Sequence, residues 1–319
     1  MHRPEIVVSV WMPWRTATYP QRVSIDRQVN LALALGVDAI ALKGTNKDWV
    51  WGAKENFLNP IFKKNSNDAM EQAAKAAGLG VDLWCFVNLK NPAAQARVIH
   101  EAVARWNPRN VKIDIEGSIA MGYIGNTGAF LRSLGVLYRH DGTRVKIWLQ
   151  SYRRPDVHRE KIDWRKWLTY TDHDGVYLLD GVAPQAYYMK SQDSVSDYTR
   201  MLEVHADLER EIGRKDLLWH VTLPTFKEWG WYPTATSLEW GIDFLRQELG
   251  ERLVGVDFWR LGWLFEKTGQ GVKEMLMAYN WGGEEPPPEP ETPFEQRPEN
   301  ERWQVVGGDL RQRGVISSD

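Results

Sequence analysis

Cysteine is almost missing from this chain: Cys85 is the single one among 319 residues, which excludes an internal disulfide. Cys85 itself reads as a buried, reduced packing residue rather than a nucleophile. There is no block of Lys or Arg, and the formal charge is only -2, which argues against a nucleic-acid or anionic-membrane surface. No apolar run approaches the roughly 20 residues of a membrane span, so no membrane insertion is expected. Met1-His2-Arg3-Pro4-Glu5 leads straight into a strand-like run, and no secretory signal is read there. The seven histidines contain no His-x-His and no His-Glu-x-x-His, so neither a catalytic zinc nor any other cofactor is expected. Gly122, Gly125 and Gly128 do not space like a dinucleotide or Walker loop and read as a flexible loop. Asp172-His173-Asp174-Gly175 reads as a turn rather than a calcium loop.

What the chain does have is rhythm. Runs rich in Val, Ile, Leu and aromatics recur near residues 5–11, 37–43, 80–88, 110–116, 145–152, 181–188, 217–224 and 253–259. Helical patterns lie between them, with ends marked by Ser24 and Gly36, Asn91-Pro92, Gly213, and Ser237 and Gly250. Eight strands alternating with helices over residues 1–281 predict an α/β chain of the (β/α)8 TIM-barrel class, which typically takes roughly 250 residues plus insertions. The composition then changes. Residues 282–299 carry Gly282-Gly283-Glu284-Glu285 and six prolines from Pro286 to Pro298, and read as an extended Pro/Glu-rich linker. Residues 300–319, with Trp303, Val306 and Leu310 at helical spacing, read as a short helical tail too small to fold alone. Either it binds a cell wall or mediates oligomerisation, or it is a frayed end.

Strand alternation turns the barrel into an inventory of its interior. One parity is apolar (Ile6, Val8, Val10; Ile40, Leu42; Leu83, Cys85, Val87; Ile113, Ile115; Ile147, Leu149; Val254, Val256, Phe258) and should face the helices. The other is polar or aromatic: Ser9, Trp11, Lys43, Asp82, Trp84, Asn88, Lys112, Asp114, Glu116, Lys146, Trp148, Gln150, Gln185, Tyr187, His220, Thr222, Asp257 and Trp259. Buried together, such groups must satisfy one another or a ligand, since an unpaired one costs several kcal/mol. A polar substrate explains them better than stability does. His220 is read either as a substrate contact or as a hydrogen-bonded interior histidine. The 17 tryptophans include two loop clusters, Trp49-Val50-Trp51 and Trp229-Gly230-Trp231-Tyr232, after the second and seventh strands. Flat rings beside amides and carboxylates suit the apolar faces and polar rims of sugars. Trp106, Trp164, Trp167 and Trp240 read instead as packing between helices and barrel.

The fourth candidate strand, Val111-Lys112-Ile113-Asp114-Ile115-Glu116-Gly117, ends in two carboxylates two residues apart. Both therefore point at the carboxyl-end mouth, where such barrels do their chemistry. This segment resembles the end of the acid-rich strand-four motif of family 18 chitinases and chitinase-like lysozymes. Gln185-Ala186-Tyr187-Tyr188 is similar to that family's Gln/Met-x-Tyr motif, and Gly255-Val256-Asp257-Phe258-Trp259 to its Gly-Val-Met-x-Trp. Lys112 stands where the motif has another Asp, Arg109-Asn110 replace its upstream Asp-Gly, and the Gly-rich signature of the third strand is absent. A weaker likeness is to family 25 lysozymes, barrels with an Asp-x-Glu on a central strand, although the first strand here lacks their Asp-x-Ser pattern.

The resemblance implies a glycoside hydrolase without metal or cofactor, acting on an N-acetylhexosamine-containing polysaccharide. Glu116 would be the general acid, kept protonated by its apolar surroundings and by Asp114. Asp114 and Tyr187 would hold an acetamido group acting as internal nucleophile, with Lys112 expected to pair with Asp114. Trp11, Lys43, Trp84, Gln150, Gln185, Asp257 and Trp259 complete the expected substrate contacts. A lytic barrel followed by a Pro-rich linker is laid out like phage or bacterial cell-wall lysins. Peptidoglycan is therefore expected ahead of chitin, with a protein cytoplasmic when made that acts on the wall after release. The alternative is a non-catalytic carbohydrate-binding or virion-associated barrel.

Overall fold

A computed structural model describes residues 3–10, 23–56, 66–115, 122–187, 194–226, 233–266 and 269–282. The strands are β1 (Glu5–Val10), β2 (Ala39–Asn46), β3 (Trp49–Val50), β4 (Gly80–Val87), β5 (Asn110–Ile115), β6 (Lys146–Tyr152), β7 (Gly181–Gln185), β8 (Leu218–Pro224) and β9 (Leu253–Trp259). All but β3 pair in parallel in the order β1-β9-β8-β7-β6-β5-β4-β2, and β2 returns to β1. The result is a closed eight-stranded TIM barrel, with the two-residue β3 folded back antiparallel on the end of β2. A helix follows each barrel strand: α1 (Ile25–Ala34), α2 (Asn67–Ala76), α3 (Pro92–Trp106), α4 (Thr127–Leu134), α5 (Trp164–Thr169), α6 (Ser194–Ile212), α7 (Ala235–Leu249) and α8 (Gln270–Ala278). No described helix is long and apolar enough to cross a membrane. The expected linker and tail lie outside the described residues from 283 onward.

Local chemistry sets these boundaries. The Ser24 hydroxyl accepts the Arg27 amide at the start of α1, and Asn91-Pro92 opens α3, each satisfying or removing a donor that the first turn leaves over. Ser237 is not the cap of α7 that its spacing suggested. Thr234 caps that helix, and Ser237 at the third position reaches back to the Thr234 amide, a reciprocal capping box. Asp172 accepts the amides of Asp174 and Val176 at 2.9 Å, which makes that segment a turn, as its sequence suggested.

The two strand parities separate as alternation requires. Ile6, Val8, Ile40, Leu42, Leu83, Ile113, Ile147, Leu149, Val256 and Phe258 are buried against the helix layer, in one continuous core with Trp106, Trp164 and Trp167. Cys85 lies in the same layer, and burial pushes its thiol up to about 12, so it stays protonated. Inside the barrel a smaller cluster of Val7, Ala39, Ala41 and Trp84 packs with Phe86 and Trp259. The alanines of β2 make room for the indoles of β4 and β9.

The amino-terminal floor of the barrel is polar and closed. Asn110 donates to Glu5 at 3.0 Å and to Asp82 at 3.1 Å, and accepts from the Trp148 indole at 3.1 Å. Arg109 pairs with Glu5 and stands 3.5 Å from Asp82. His220 is fully buried here, its ring edge-on to Trp148 at 5.6 Å. It fits because residue 255 is glycine: a Cβ there would come within 2.7 Å of the imidazole. Burial, then the charges of Lys112 and Arg109, push the imidazole well below its usual value, so it is neutral and belongs to the floor rather than the mouth.

Burial raises Asp82 and, with the repulsion of Asp82 second, raises Glu5 from 4.5 to about 7. The folded chain thus holds a proton on Glu5 that the unfolded chain releases. The stability this contributes is full below about 4.5 and lost as pH rises through about 7. His220 works in the opposite sense, its contribution being lost as pH falls below 6.5, but it is common to wild type and a Glu5 variant and cancels between them. Urea unfolding of wild type and Glu5→Gln across this range should show the wild type losing stability relative to the variant as pH rises. Parallel curves would contradict the assignment.

Candidate active site

One ion pair runs straight across the barrel. β5 and β9 are diametrically opposed, four strands apart in either direction around the closed sheet. The Lys112 side chain reaches from one to the other and donates to Asp257 Oδ2 at 2.5 Å. Ser9 on β1 donates to the same carboxylate, at 2.9 and 2.8 Å to its two oxygens. Lys112 and Asp257 are both 0% exposed. Lys112 was expected to serve Asp114, its neighbour two residues along the strand; its length instead carries the ammonium to the far wall. Asp257, expected to touch substrate, lies beneath the mouth and holds that ammonium.

Above this pair the mouth divides in two. On β5 to β8 it is lined by amides, hydroxyls and a carboxylate. Gln185 donates to Asp114 Oδ1 at 3.1 Å, and Gln150 donates to the Thr222 hydroxyl at 3.1 Å. Tyr187, just beyond β7, packs edge-on to Phe226 at 5.5 Å, and its carbonyl accepts from Arg153 at 2.7 Å. On β9, β2 and β4 the mouth is aromatic. Trp259 meets Trp84 edge-to-face at 5.0 Å, and the Lys43 ammonium lies 4.7 Å from the ring centres of both Trp51 and Trp84 and 5.6 Å from that of Phe86. Trp49, 40% exposed, lies 4.6 Å from Trp51 and extends the aromatic side outward. The Trp259–Arg260 peptide is cis, and the Trp259 carbonyl accepts the Thr225 amide at 2.6 Å.

The fold therefore brings Asp114, Tyr187, Lys43, Trp84, Gln150, Gln185 and Trp259 to one end of the barrel. Glu116, Trp11 and the cluster Trp229-Gly230-Trp231-Tyr232 lie outside the described residues. No group of three or more His, Cys, Asp or Glu able to hold a metal occurs among the described residues. Phe86 was overlooked in the sequence although it shares the parity of Asp82 and Trp84. Arg153, Phe226 and Arg260 follow strand ends, where alternation no longer fixes direction.

Neither a family model nor a curated protein matches the sequence. Solved structures do match the fold. The PgaB (BpsB) glycoside hydrolase domain from Bordetella bronchiseptica aligns with a TM-score of 0.52 at 12% identity, over 86% of this chain and 99% of that one. A family 18 chitinase from Pseudoalteromonas aurantia aligns at 0.53 and 12%, over 85% and 99%, and a family 113 β-1,4-mannanase at 0.51 and 10%, over 87% and 99%. Each is named as a glycoside hydrolase or by a glycan that it cleaves. At such identities the likeness establishes the barrel, and the chemistry must be argued from side chains.

A buried pair with both members satisfied tolerates the loss of one member badly, because the other is left charged in a dry interior. Lys112→Met should cost about 3–5 kcal/mol in urea unfolding, and adding Asp257→Asn should restore most of it. A single-variant loss below about 1 kcal/mol, the range of exposed pairs, would refute a cross-barrel role.

Proposed function

We propose that this protein is a glycoside hydrolase that cleaves an N-acetylhexosamine-containing polysaccharide, with bacterial peptidoglycan ahead of chitin. The observation that carries the reading is the divided mouth. An aromatic half offers Trp259, backed edge-to-face by the buried Trp84, to a sugar, and an amide half holds Asp114 in place through Gln185, two residues before Glu116. The likeness to barrels named as chitinase, mannanase and glycoside hydrolase domain supports the general class.

In this mechanism Glu116 donates its proton to the leaving glycosidic oxygen as that bond breaks. The carbonyl oxygen of the substrate's acetamido group attacks the anomeric carbon from the other face. Asp114, its carboxylate oriented by the Gln185 amide, accepts the acetamido N–H and balances the positive charge that develops there. The Tyr187 hydroxyl donates to the same group. Water then opens the cyclic intermediate, with Glu116 taking back a proton. This is the substrate-assisted exception to the two-carboxylate scheme, and it assigns no nucleophilic role to a second protein carboxylate.

Release of reducing ends from purified peptidoglycan and from chitin oligomers, by the intact chain and by Glu116→Gln, tests the proposal. Turnover by wild type should fall about 100-fold or more in the variant, the scale of a general acid's contribution, with glycan affinity retained. Glycan binding without turnover in either protein would overturn the enzymatic reading in favour of a binding module.

A further inference from the structure

The rim of the mouth presents a tryptophan from β3, a strand that is no part of the closed barrel. β2 is bulged at Gly44, where its register against β4 shifts between Lys43 and Thr45, and a Cβ at Gly44 would stand 3.1 Å from the Cys85 sulfur. Beyond the bulge the chain turns at Lys47, whose φ is 61°, and β3 returns along β2. This returning segment is fastened from several sides. The Trp51 amide donates to the Gly44 carbonyl at 2.9 Å, and the Lys47 amide to the Phe86 carbonyl at 2.8 Å. Asn67, fully buried at the start of α2, donates to the Lys43 carbonyl at 2.8 Å and to the Trp51 carbonyl at 2.9 Å. Asn56 donates to the Val50 carbonyl at 2.8 Å, and Asn91, at the start of α3, to Asp48 at 3.4 Å. What these bonds hold in place is the Trp49 indole, 40% exposed and the one tryptophan among the exposed large apolar side chains of the described residues. A lone exposed apolar side chain on a loose surface is ordinary, but here the backbone beneath it is fixed by a buried amide. The ring also continues a row. Trp49 lies 4.6 Å from Trp51, Trp51 and Trp84 each lie 4.7 Å from the Lys43 ammonium, and Trp84 meets Trp259 at 5.0 Å. Aromatic groups therefore run from the centre of the mouth to its rim, and a ring on a preorganised backbone binds a sugar face at little ordering cost.

Resting on the hydrolase reading above, we propose that Trp49 is the platform of an outer sugar subsite, away from the bond that is cut, so that the protein selects a glycan long enough to lie along the row from Trp259 to Trp49. A chain confined to the centre of the mouth gains nothing from β3. One that continues to the rim adds a sugar face stacked on the Trp49 indole.

The test measures affinities for chitobiose and chitohexaose by calorimetry, with wild type, Trp49→Ala and Trp49→Phe. Wild type should bind chitohexaose the more tightly. Trp49→Ala should weaken chitohexaose about five- to tenfold, the scale of one aromatic contact, and leave chitobiose where it was. Should Trp49→Ala fail to fold, the smaller ring of Trp49→Phe tests the same contact through a partial loss confined to chitohexaose. Equal wild-type affinities for the two lengths, an undiminished affinity for chitohexaose in Trp49→Ala, or an equal loss for both sugars would overturn the proposal. Reducing ends released from chitohexaose, assayed in parallel, separate the two readings. Hydrolysis without a Trp49-dependent preference removes the outer subsite alone, such a preference without hydrolysis removes the enzyme alone, and binding of neither sugar removes both.

Discussion

A barrel of eight parallel strands has to fill its own lumen, and here it does so with an ion pair that spans it. Lys112 on β5 and Asp257 on β9 tie opposite walls together, with Ser9 anchoring the carboxylate from β1. Well-packed apolar side chains would close a barrel as firmly, since a buried pair must first repay the desolvation of both charges. What the pair supplies is position. It places a rigid, satisfied layer beneath Asp114, Gln185 and Trp259, so that the groups at the mouth rest on a floor that cannot shift without exposing a charge. The layer below, built on Asn110, Glu5, Asp82 and Trp148, seals the far end, leaving the carboxyl end as the place where a ligand can meet the interior.

Much of this was legible in the sequence because alternation is a strict rule. The period-two pattern of Ile113, Asp114 and Ile115, and of Val256, Asp257 and Phe258, decides which side chains line the lumen once a closed barrel is assumed, and it is interrupted by register shifts between Lys43 and Thr45 on β2 and between Trp219 and His220 on β8. Partners were less legible. Lys112 and Asp114 are neighbours in the chain, yet Lys112 bonds a residue 145 positions away, because a lysine is long enough to cross the lumen and sequence proximity does not rank such contacts. Lys146 shares the inward parity, but it is the first residue of β6 and is exposed at the barrel's rim, outside the buried network that its parity implied. The cap of α7 was displaced by three residues because Thr and Ser exchange roles within a capping box.

The mouth differs in character from one side to the other, and the proposed acetamido substrate rests on that asymmetry. Trp259, backed by the buried Trp84, provides an apolar surface, while Gln150, Gln185 and Asp114 provide directed donors and acceptors. Lys43 adds a charge among the rings. Barrels with TM-scores just above 0.5 to this one act under the names of chitinase and mannanase, so the scaffold alone does not choose among sugars. Under the proposed mechanism the polar half does, through the Asp114 carboxylate that Gln185 holds and that would accept an amide N–H.

The most direct measurement of that claim is the affinity of the intact protein for chitotetraose, cellotetraose and mannotetraose, three β-1,4-linked chains of equal length of which only the first carries acetamido groups, the other two differing in the configuration of the C2 hydroxyl. The account predicts that chitotetraose binds about tenfold or more tighter than the other two, the scale of one charge-assisted hydrogen bond gained from Asp114, and that Asp114→Asn reduces the difference. Equal binding of all three, or preference for an unacetylated chain, would contradict it.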